Sequence, residues 1–272
     1  MFTMLSRSVG SLLPLAWAVY LGVPDLAVGE ARWALVASLP LTLVAIAPLG
    51  LMTERRVALA GGFLDLIALK NVVNFASIAK LTLCSLLVWL GFGMATRFFN
   101  VFFDLAMGAT DRQISAILGF GALAGASAIL FSGLLVRKLG KTRSIAISQV
   151  VAVPLAVPGL PMVVASFFLY DAFYSISMSV RNQLAMELTV AQERGTTAGM
   201  THMSFDMGGA FGAGMAEALI GVSSEEASLG VRVGEFVPAF TVAGVLVLSA
   251  AVLYYVFFAR EETAQRVVAP AV

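Results

Sequence analysis

Residues 133–143 read Gly-Leu-Leu-Val-Arg-Lys-Leu-Gly-Lys-Thr-Arg, and this short basic segment decides the fold class. An apolar run long enough to cross a membrane precedes it, and a shorter apolar run follows it. Short loops rich in lysine and arginine resist translocation and stay on the cytoplasmic side of a membrane. The segment therefore predicts a cytoplasmic hairpin between two transmembrane helices, with the cations Arg137, Lys138, Lys141 and Arg143.

The composition supports a membrane protein and excludes several other classes. The chain is 60% hydrophobic and 12% charged, whereas roughly 25% of residues are charged in a soluble domain. A net charge of +1 leaves no basic excess for binding nucleic acid. One cysteine, Cys84, excludes an internal disulfide, and one histidine, His202, argues against a histidine-built metal site. We expect neither a metal nor a cofactor.

The predicted spans follow from runs of about 20 mostly apolar residues, which is the length that crosses a bilayer. The fifth run is short, and Pro154 and Pro158 interrupt it. The sequence predicts an all-α, polytopic transmembrane helix bundle of about eight spans, near 1–23, 33–52, 80–105, 112–136, 144–160, 162–188, 196–222 and 235–259.

The orientation of these spans is predicted by the charges of their loops. When the basic hairpin is placed inside, the other loops on its side hold most of the remaining cations: Arg55, Arg56, Lys70, Lys80, Arg194, Arg260 and Arg266. The opposite loops are mainly acidic, with Asp25, Glu30, Asp111, Glu225, Glu226 and Glu235 against Arg32, Arg112 and Arg232. Both termini are therefore expected to be cytoplasmic, in a plasma (inner) membrane.

Four regions organise the chain. Residues 57–79 are too polar to span a membrane and apolar enough for an interfacial helix, so they predict a cytoplasmic linker. We expect the last two spans of an N-terminal bundle at 1–56, a six-helix C-terminal bundle at 80–262 and a cytoplasmic tail at 263–272.

Several motifs resemble those of the major facilitator superfamily of secondary transporters. The hairpin is similar to that family's loop Gly-x-Leu-x-Asp-Arg-x-Gly-Arg-Lys/Arg, although Arg137 stands where the family has an acid. Glu193-Arg194-Gly195, the glycine-rich run 208–214 and Phe98-Phe99-Asn100 resemble further segments of its C-terminal half. The resemblance implies a helical bundle that carries a solute through a central pathway.

The resemblance also implies that the chain is incomplete. Arg7 to Pro14, an acidic loop, a span and Glu54-Arg55-Arg56 parallel the order of Asp206 to Gly209, the Glu225 loop, a span and Arg260-Glu261. Such parallel repeats are expected for the two halves of these carriers. Two spans before the linker, instead of six, indicate that four spans are missing and that the chain is truncated at its N-terminus.

Ionisable side chains at membrane depth are expensive and usually functional. Arg97 and Asp171 lie in the spans that line the central pathway in the family, and we expect them to pair. The predicted solute site is Arg97, Asn100, Tyr170, Asp171 and Tyr174, with Asp171 or Asp206 exchanging a proton. The predicted gating residues are Gly133, Arg137, Lys138, Gly140, Lys141 and Arg194.

Each of these candidates has a structural alternative. Arg97 and Asp171 could form a buried ion pair that only fixes helix register. His202 is expected to pack within the bundle, and Glu217 to lie at the interface. The small residues of 119–128 and Gly208-x-x-x-Gly212 predict close helix packing, whether static or sliding during transport. The aromatic run 98–103 is expected to pack or to face lipid, with at most one ring touching solute.

The predicted function is transport of a small organic solute by alternating access, either proton-coupled or facilitative. The alternative is a non-transporting, truncated relic or membrane subunit. An intramembrane aspartyl protease would also contain a Tyr-Asp pair, as in Tyr170-Asp171, but it needs Gly-x-Gly-Asp later, where this chain has Ser204-Phe205-Asp206. The expected partners are the solute, the lipid bilayer, and a second copy or the missing N-terminal segment.

Overall fold

The fold is that of a helical bundle in a computed structural model, which describes residues 75–153, 159–189, 194–220 and 229–268, with Ala16 and Val36 in addition. Within these ranges every regular element is helical, as the sequence predicts. The helices are α1 (Phe75–Thr96), α2 (Phe99–Val101), which continues as a π-helical segment (Phe102–Ala106), α3 (Asp111–Leu139), α4 (Lys141–Val151), α5 (Leu160–Leu188), α6 (Arg194–Leu219) and α7 (Leu229–Val268).

Four stretches among the described residues are long and apolar enough to cross a membrane. They are Phe75–Ala106, Asp111–Leu139, Leu160–Leu188 and Val233–Ala259. Helix α6, with 26 residues, is long enough to cross a membrane, but its glycines, serines and threonines make it less apolar. Helix α4 has only 11 residues and is too short. The polytopic bundle is confirmed, whereas the count of about eight spans is not. Both predicted spans before residue 56, apart from Ala16 and Val36, and residues 57–74 of the linker lie outside the described residues.

Several helix boundaries differ from the prediction for local reasons. Helix α1 begins at Phe75, so residues 75–79 of the predicted linker form its first turn. Helix α4 ends at Val151, short of the predicted residue 160, because the residue before Pro154 is disfavoured in the α conformation. Helix α7 runs beyond the predicted 235–259 at both ends. A capping box between Thr110 and Gln113 fixes the start of α3.

Helix α1 packs closely against α6 and α7 and touches α5 more sparsely. Its contact with α6 is a backbone contact between small residues. A Cβ atom on Gly93 would lie 2.7 Å from the Cα of Gly209, and one on Gly208 would lie 2.7 Å from the Cβ of Trp89. The close packing that Gly208-x-x-x-Gly212 predicts is therefore confirmed, because only glycine lets two helix backbones approach so closely.

A second small-residue contact joins α3 to α5. A Cβ atom on Gly121 would reach the ring of Phe167, and one on Gly125 would lie 2.6 Å from the Oγ of Ser175. Helix α4 fills the remaining side of the bundle between α5 and α7. The glycines of 119–128 thus bring α3 against α5, as the sequence predicts.

An aromatic cluster closes one end of the bundle. Phe99, Phe102 and Phe103 are buried, and the Phe99 ring lies 4.9 Å from that of Phe167, centroid to centroid. The Phe102 ring lies 5.1 Å from that of Phe236 at the start of α7. These three rings of the aromatic run pack inside the protein and do not face lipid.

Basic groups gather at the opposite end. Lys80 lies over the ring of Phe257, 5.7 Å from its centroid, which places the start of α1 beside the end of α7. Lys141 forms an ion pair with Glu187, which joins the hairpin to the end of α5. The bundle therefore brings Lys80 and the basic hairpin to the same end, as the loop charges predict.

The outer surface is apolar along the length of the bundle. Large side chains point away from the core at Leu130, Phe131, Met162, Phe211 and Val252, among others. A soluble monomer rarely exposes so many large apolar side chains. This surface suits hydrocarbon, and the described helices form the core of an integral membrane protein.

Candidate functional site

A cavity of about 310 Å³ lies between α1, α5 and α6. It is in the half of the bundle that carries the basic hairpin, because Glu187 at the end of α5 pairs with Lys141. The lining comes from one face of each helix: Leu81, Ser85 and Trp89 of α1, Met178, Arg181, Asn182, Ala185 and Met186 of α5, and Ala198, Thr201, His202 and Phe205 of α6.

Arg181 is the buried cation of this cavity. It lies seven residues before the end of α5 at Leu188, which is about 10 Å along the helix. Its side chain is 5% exposed, and its guanidinium carbon lies 5.5 Å from the centroid of the Trp89 ring. The guanidinium also interacts electrostatically with Cys84 and Tyr254. Helices α1, α5 and α7 therefore hold it in place together.

No carboxylate neutralises this cation within the part of the chain that the structure describes. The ion pair found there joins Lys141 to Glu187, at the end of the bundle. The Nε of Arg181 is buried and has no hydrogen-bond partner among the described residues. The described lining of the cavity contains neither aspartate nor glutamate. The described wall of the cavity is therefore electropositive.

Aromatic rings form the apolar part of the cavity. The Trp89 ring makes edge contacts with Phe205, at 4.1 Å between centroids, and with Tyr174, at 5.8 Å. Behind this group, the hydroxyls of Ser85 and Tyr254 lie 3.2 Å apart and share a hydrogen bond. The cavity thus combines a flat aromatic surface with a few polar groups, the composition typical of small-molecule sites.

The predicted solute residues do not gather around one cavity. Arg97, directly after the end of α1, and Asn100, in α2, are exposed near the aromatic cluster. Tyr170 and Tyr174 are buried and stack on each other at 6.0 Å, and the Tyr170 hydroxyl shares a 2.9 Å hydrogen bond with that of Thr96. Of these residues, Tyr174 comes nearest to the cavity, through its contact with Trp89.

The expected pairing of Arg97 with Asp171 is wrong. Asp171 is 0% exposed and faces α3, where its Oδ2 lies 3.5 Å from the position of a Cβ on Gly125. Arg97 is exposed, and no ion pair joins the two within the described ranges. Residue depth along two helices could be estimated from the sequence, but the direction in which each side chain points could not.

Helix α6 carries three further ionisable candidates. His202 lines the cavity and is exposed, so it does not pack within the bundle as expected. Asp206 is exposed one helical turn later on the same face. Glu217 is exposed near the other end of the helix.

The predicted gating residues lie at the basic end of the bundle. Gly133, Arg137 and Lys138 are exposed in the last turns of α3, and Arg194 is exposed at the start of α6. Gly140 joins α3 to α4 with a φ of 86°. Lys141 contacts α5 through Glu187. The ion pair between Lys141 and Glu187 therefore joins the hairpin to the end of α5.

Arg181 is the residue that the sequence analysis missed. Its signal was present, since the segment Ser175-Ile-Ser-Met-Ser179-Val-Arg181-Asn182 interrupts a predicted span with polar side chains. A long cationic side chain two turns from a helix end usually extends to the membrane surface. In the sequence, Arg181 therefore looks like an ordinary cation of a helix end and not like a buried one. Its burial follows from the position of Trp89 on another helix.

The sequence model of the Major Facilitator Superfamily matches residues 81–272, from the first turns of α1 to the end of the chain. This chain belongs to the Major Facilitator Superfamily. The match covers about 70% of the sequence, and the superfamily consists of membrane transporters, not enzymes. A search of curated proteins and one of solved structures gave no match. The membership supports membrane transport as the class of activity.

Proposed function

We propose that this superfamily member moves a small organic solute across the membrane by alternating access, with the cavity between α1, α5 and α6 as its solute site. The observation that carries the proposal is a ligand-sized cavity at membrane depth with a buried arginine that no carboxylate of the described residues neutralises. Charged groups at this depth are usually kept for substrate or ion binding. Superfamily membership supplies the class of activity.

The solute residues predicted from the sequence lie between the cavity and the far end of α1, or just beyond that end. Their position suits a later step of the solute's path through the protein. Tyr174 contacts Trp89 of the cavity and stacks on Tyr170, which bonds to Thr96 beside Arg97. A continuous row of side chains therefore leads from the cavity toward Arg97 and Asn100. We propose that these residues meet the solute when the opposite side of the membrane is open.

Asp206 is the better candidate for proton coupling. It is exposed one turn from the cavity residue His202, whereas Asp171 is enclosed between α5 and α3. A group that exchanges protons must reach the aqueous pathway in at least one state. We propose that Asp206 takes up and releases the coupling proton, and that Asp171 does so only if the α3–α5 contact opens.

The orientation proposed from the loop charges puts the basic end of the bundle in the cytoplasm. Lys80, the hairpin and Arg194 then lie inside, together with both chain termini, and the membrane is the plasma (inner) membrane. In this orientation the cavity is in the cytoplasmic half of the bilayer. The structure would then represent a state in which solute exchanges with the cytoplasm.

A flux measurement with the full 272-residue chain tests the proposal. The chain is reconstituted in liposomes that contain a pH-sensitive dye, a pH gradient is imposed, and a panel of small organic acids, amines and neutral solutes is added. We expect at least one solute to cause saturable uptake that protein-free liposomes lack. Absence of saturable flux for the whole panel contradicts the transport proposal and favours the relic or subunit.

Matched variants on α6 test the coupling residue. Asp206→Asn should abolish the dependence of flux on the pH gradient while solute exchange at equal pH continues. Glu217→Gln, on the same helix and also exposed, should leave the dependence unchanged. An Asp206→Asn variant with normal pH-driven flux rules out this role for Asp206.

A further inference from the structure

We infer that the cavity between α1, α5 and α6 binds the anionic group of a small organic acid, and that Arg181 holds this group. The inference rests on the proposed function in so far as it names the class of the transported solute. Its evidence is separate, because binding depends on the burial, charge and shape of the cavity and not on flux.

The first argument is the state of Arg181. Its side chain is 5% exposed, it lines the cavity, and its buried Nε–H donates no hydrogen bond to the described residues. An uncompensated cation at this depth is unfavourable. A carboxylate would compensate it, since its two oxygens match the fork of a guanidinium. The contact with Trp89 holds that fork in a defined place.

The second argument is the sign of the charge around the cavity. Among the described residues, Arg181 and His202 are its ionisable lining groups, and neither aspartate nor glutamate lines it. The nearest acid along α6 is Asp206, one turn beyond His202 and outside the lining. Asn182 adds an amide group able to donate a hydrogen bond to an oxyanion, whereas the hydroxyl of Thr201 donates to the backbone carbonyl of Thr197. The described wall thus favours an anion and opposes a cation.

The third argument is the remaining surface, which fits an apolar body. Trp89 and Phe205 present aromatic rings, and the other lining groups are mainly aliphatic or thioether: Leu81, Met178, Ala185, Met186 and Ala198. A volume of about 310 Å³ is near the lower limit of ligand sites, which begin at roughly 300 Å³. The ligand class is therefore a small monocarboxylate with an aromatic or branched apolar body.

The experiment compares three probes of one shape and different charge. The full chain carries Trp17→Phe and Trp33→Phe, so that Trp89 is its sole tryptophan, and is placed in lipid nanodiscs. Benzoate should change Trp89 fluorescence saturably. Benzamide, which is neutral, and benzamidinium, which is cationic, should bind about tenfold or more weakly. Equal binding of the three probes, or no saturable response to benzoate, overturns the inference without any variant of Arg181.

Variants then locate the anion. Arg181→Gln should weaken benzoate binding about tenfold or more, and Arg181→Lys should retain part of it. Arg112→Gln, which removes an exposed cation at the opposite end of the bundle, should bind as the parent does. Circular dichroism checks that each variant is folded. Unchanged benzoate affinity in a folded Arg181→Gln chain overturns the assignment to Arg181.

The same probe separates this inference from the transport proposal. Saturable benzoate binding without flux of any solute supports the anion site and contradicts the transport proposal. Flux of other solutes without benzoate binding supports the transport proposal and contradicts the anion site.

Discussion

The guanidinium of Arg181 on α5 lies over the ring of Trp89 on α1, 5.5 Å from its centroid. The contact joins α1 and α5 at the wall of the cavity, in addition to their ring contacts farther along and the hydrogen bond between Thr96 and Tyr170. A cation is attracted to the face of an aromatic ring, and the attraction grows when water is excluded. This contact holds a charged side chain in a place where a solute could reach it.

The free energy of this contact is measurable by a double-mutant cycle. We expect Trp89→Leu and Arg181→Met to show a coupling of about 0.5–2 kcal/mol in the free energy of unfolding. Unfolding is followed by circular dichroism in mixed micelles with increasing denaturing detergent. Phe167→Leu, at the far end of α5, should be additive with Arg181→Met. Additivity of the first pair as well would show that the stacking contributes nothing.

The α1–α6 contact should reject any side chain at Gly212. A Cβ there would meet the carbonyl of Leu90, which is backbone and cannot move alone. We expect Gly212→Ala to lower the unfolding free energy by about 1–3 kcal/mol, the usual cost of overpacking. Thermal unfolding in detergent measures the difference.

A glycine two residues later gives the control for this contact. Nothing lies within 4 Å of a Cβ on Gly214. Gly214→Ala should keep or slightly raise stability, because alanine is the better helix former. Equal stability of the two variants contradicts the close contact.

The hairpin requires glycine at position 140. Its φ of 86° and ψ of 168° lie in a region that essentially only glycine occupies. Gly140→Ala should therefore destabilise the chain by about 1–3 kcal/mol. Gly133→Ala, inside α3 with open space around it, should be neutral or stabilising. A melting temperature of Gly140→Ala equal to that of the parent would show that the turn adapts.

The proposed orientation predicts which residues a reagent reaches from outside the cell. In a Cys84→Ala background, Arg112→Cys should react with a membrane-impermeant maleimide on intact cells. Lys138→Cys should react only after the membrane is permeabilised. Both positions are exposed, so that the membrane, and not burial, decides the result. Labelling of Lys138→Cys in intact cells would show that the basic end faces outward, which contradicts the proposed orientation.

The sequence alone determined the helical class, the family and most of the helices that the structure describes from residue 75 onward. Apolar runs and loop charges carry this information locally, because each span must satisfy its own backbone in lipid and each loop is sorted by its own cations. The glycines of α3 and α6 likewise predicted close packing. The prolines at 154 and 158 were noted as interruptions in the sequence, but the residue at which α4 ends, Val151, was not predicted.

Tertiary structure alone decided which polar groups meet. Asp171 could be assigned a depth but not a direction, and it faces Gly125 on α3 while Arg97 is exposed. In the sequence Arg181 looks like a cation near a helix end, whereas in the structure Trp89 of α1 lies beside it. A cavity exists only between helices, so its lining depends on their relative rotation. That rotation is fixed by packing between residues far apart in sequence, such as Gly93 with Gly209, which no local pattern records.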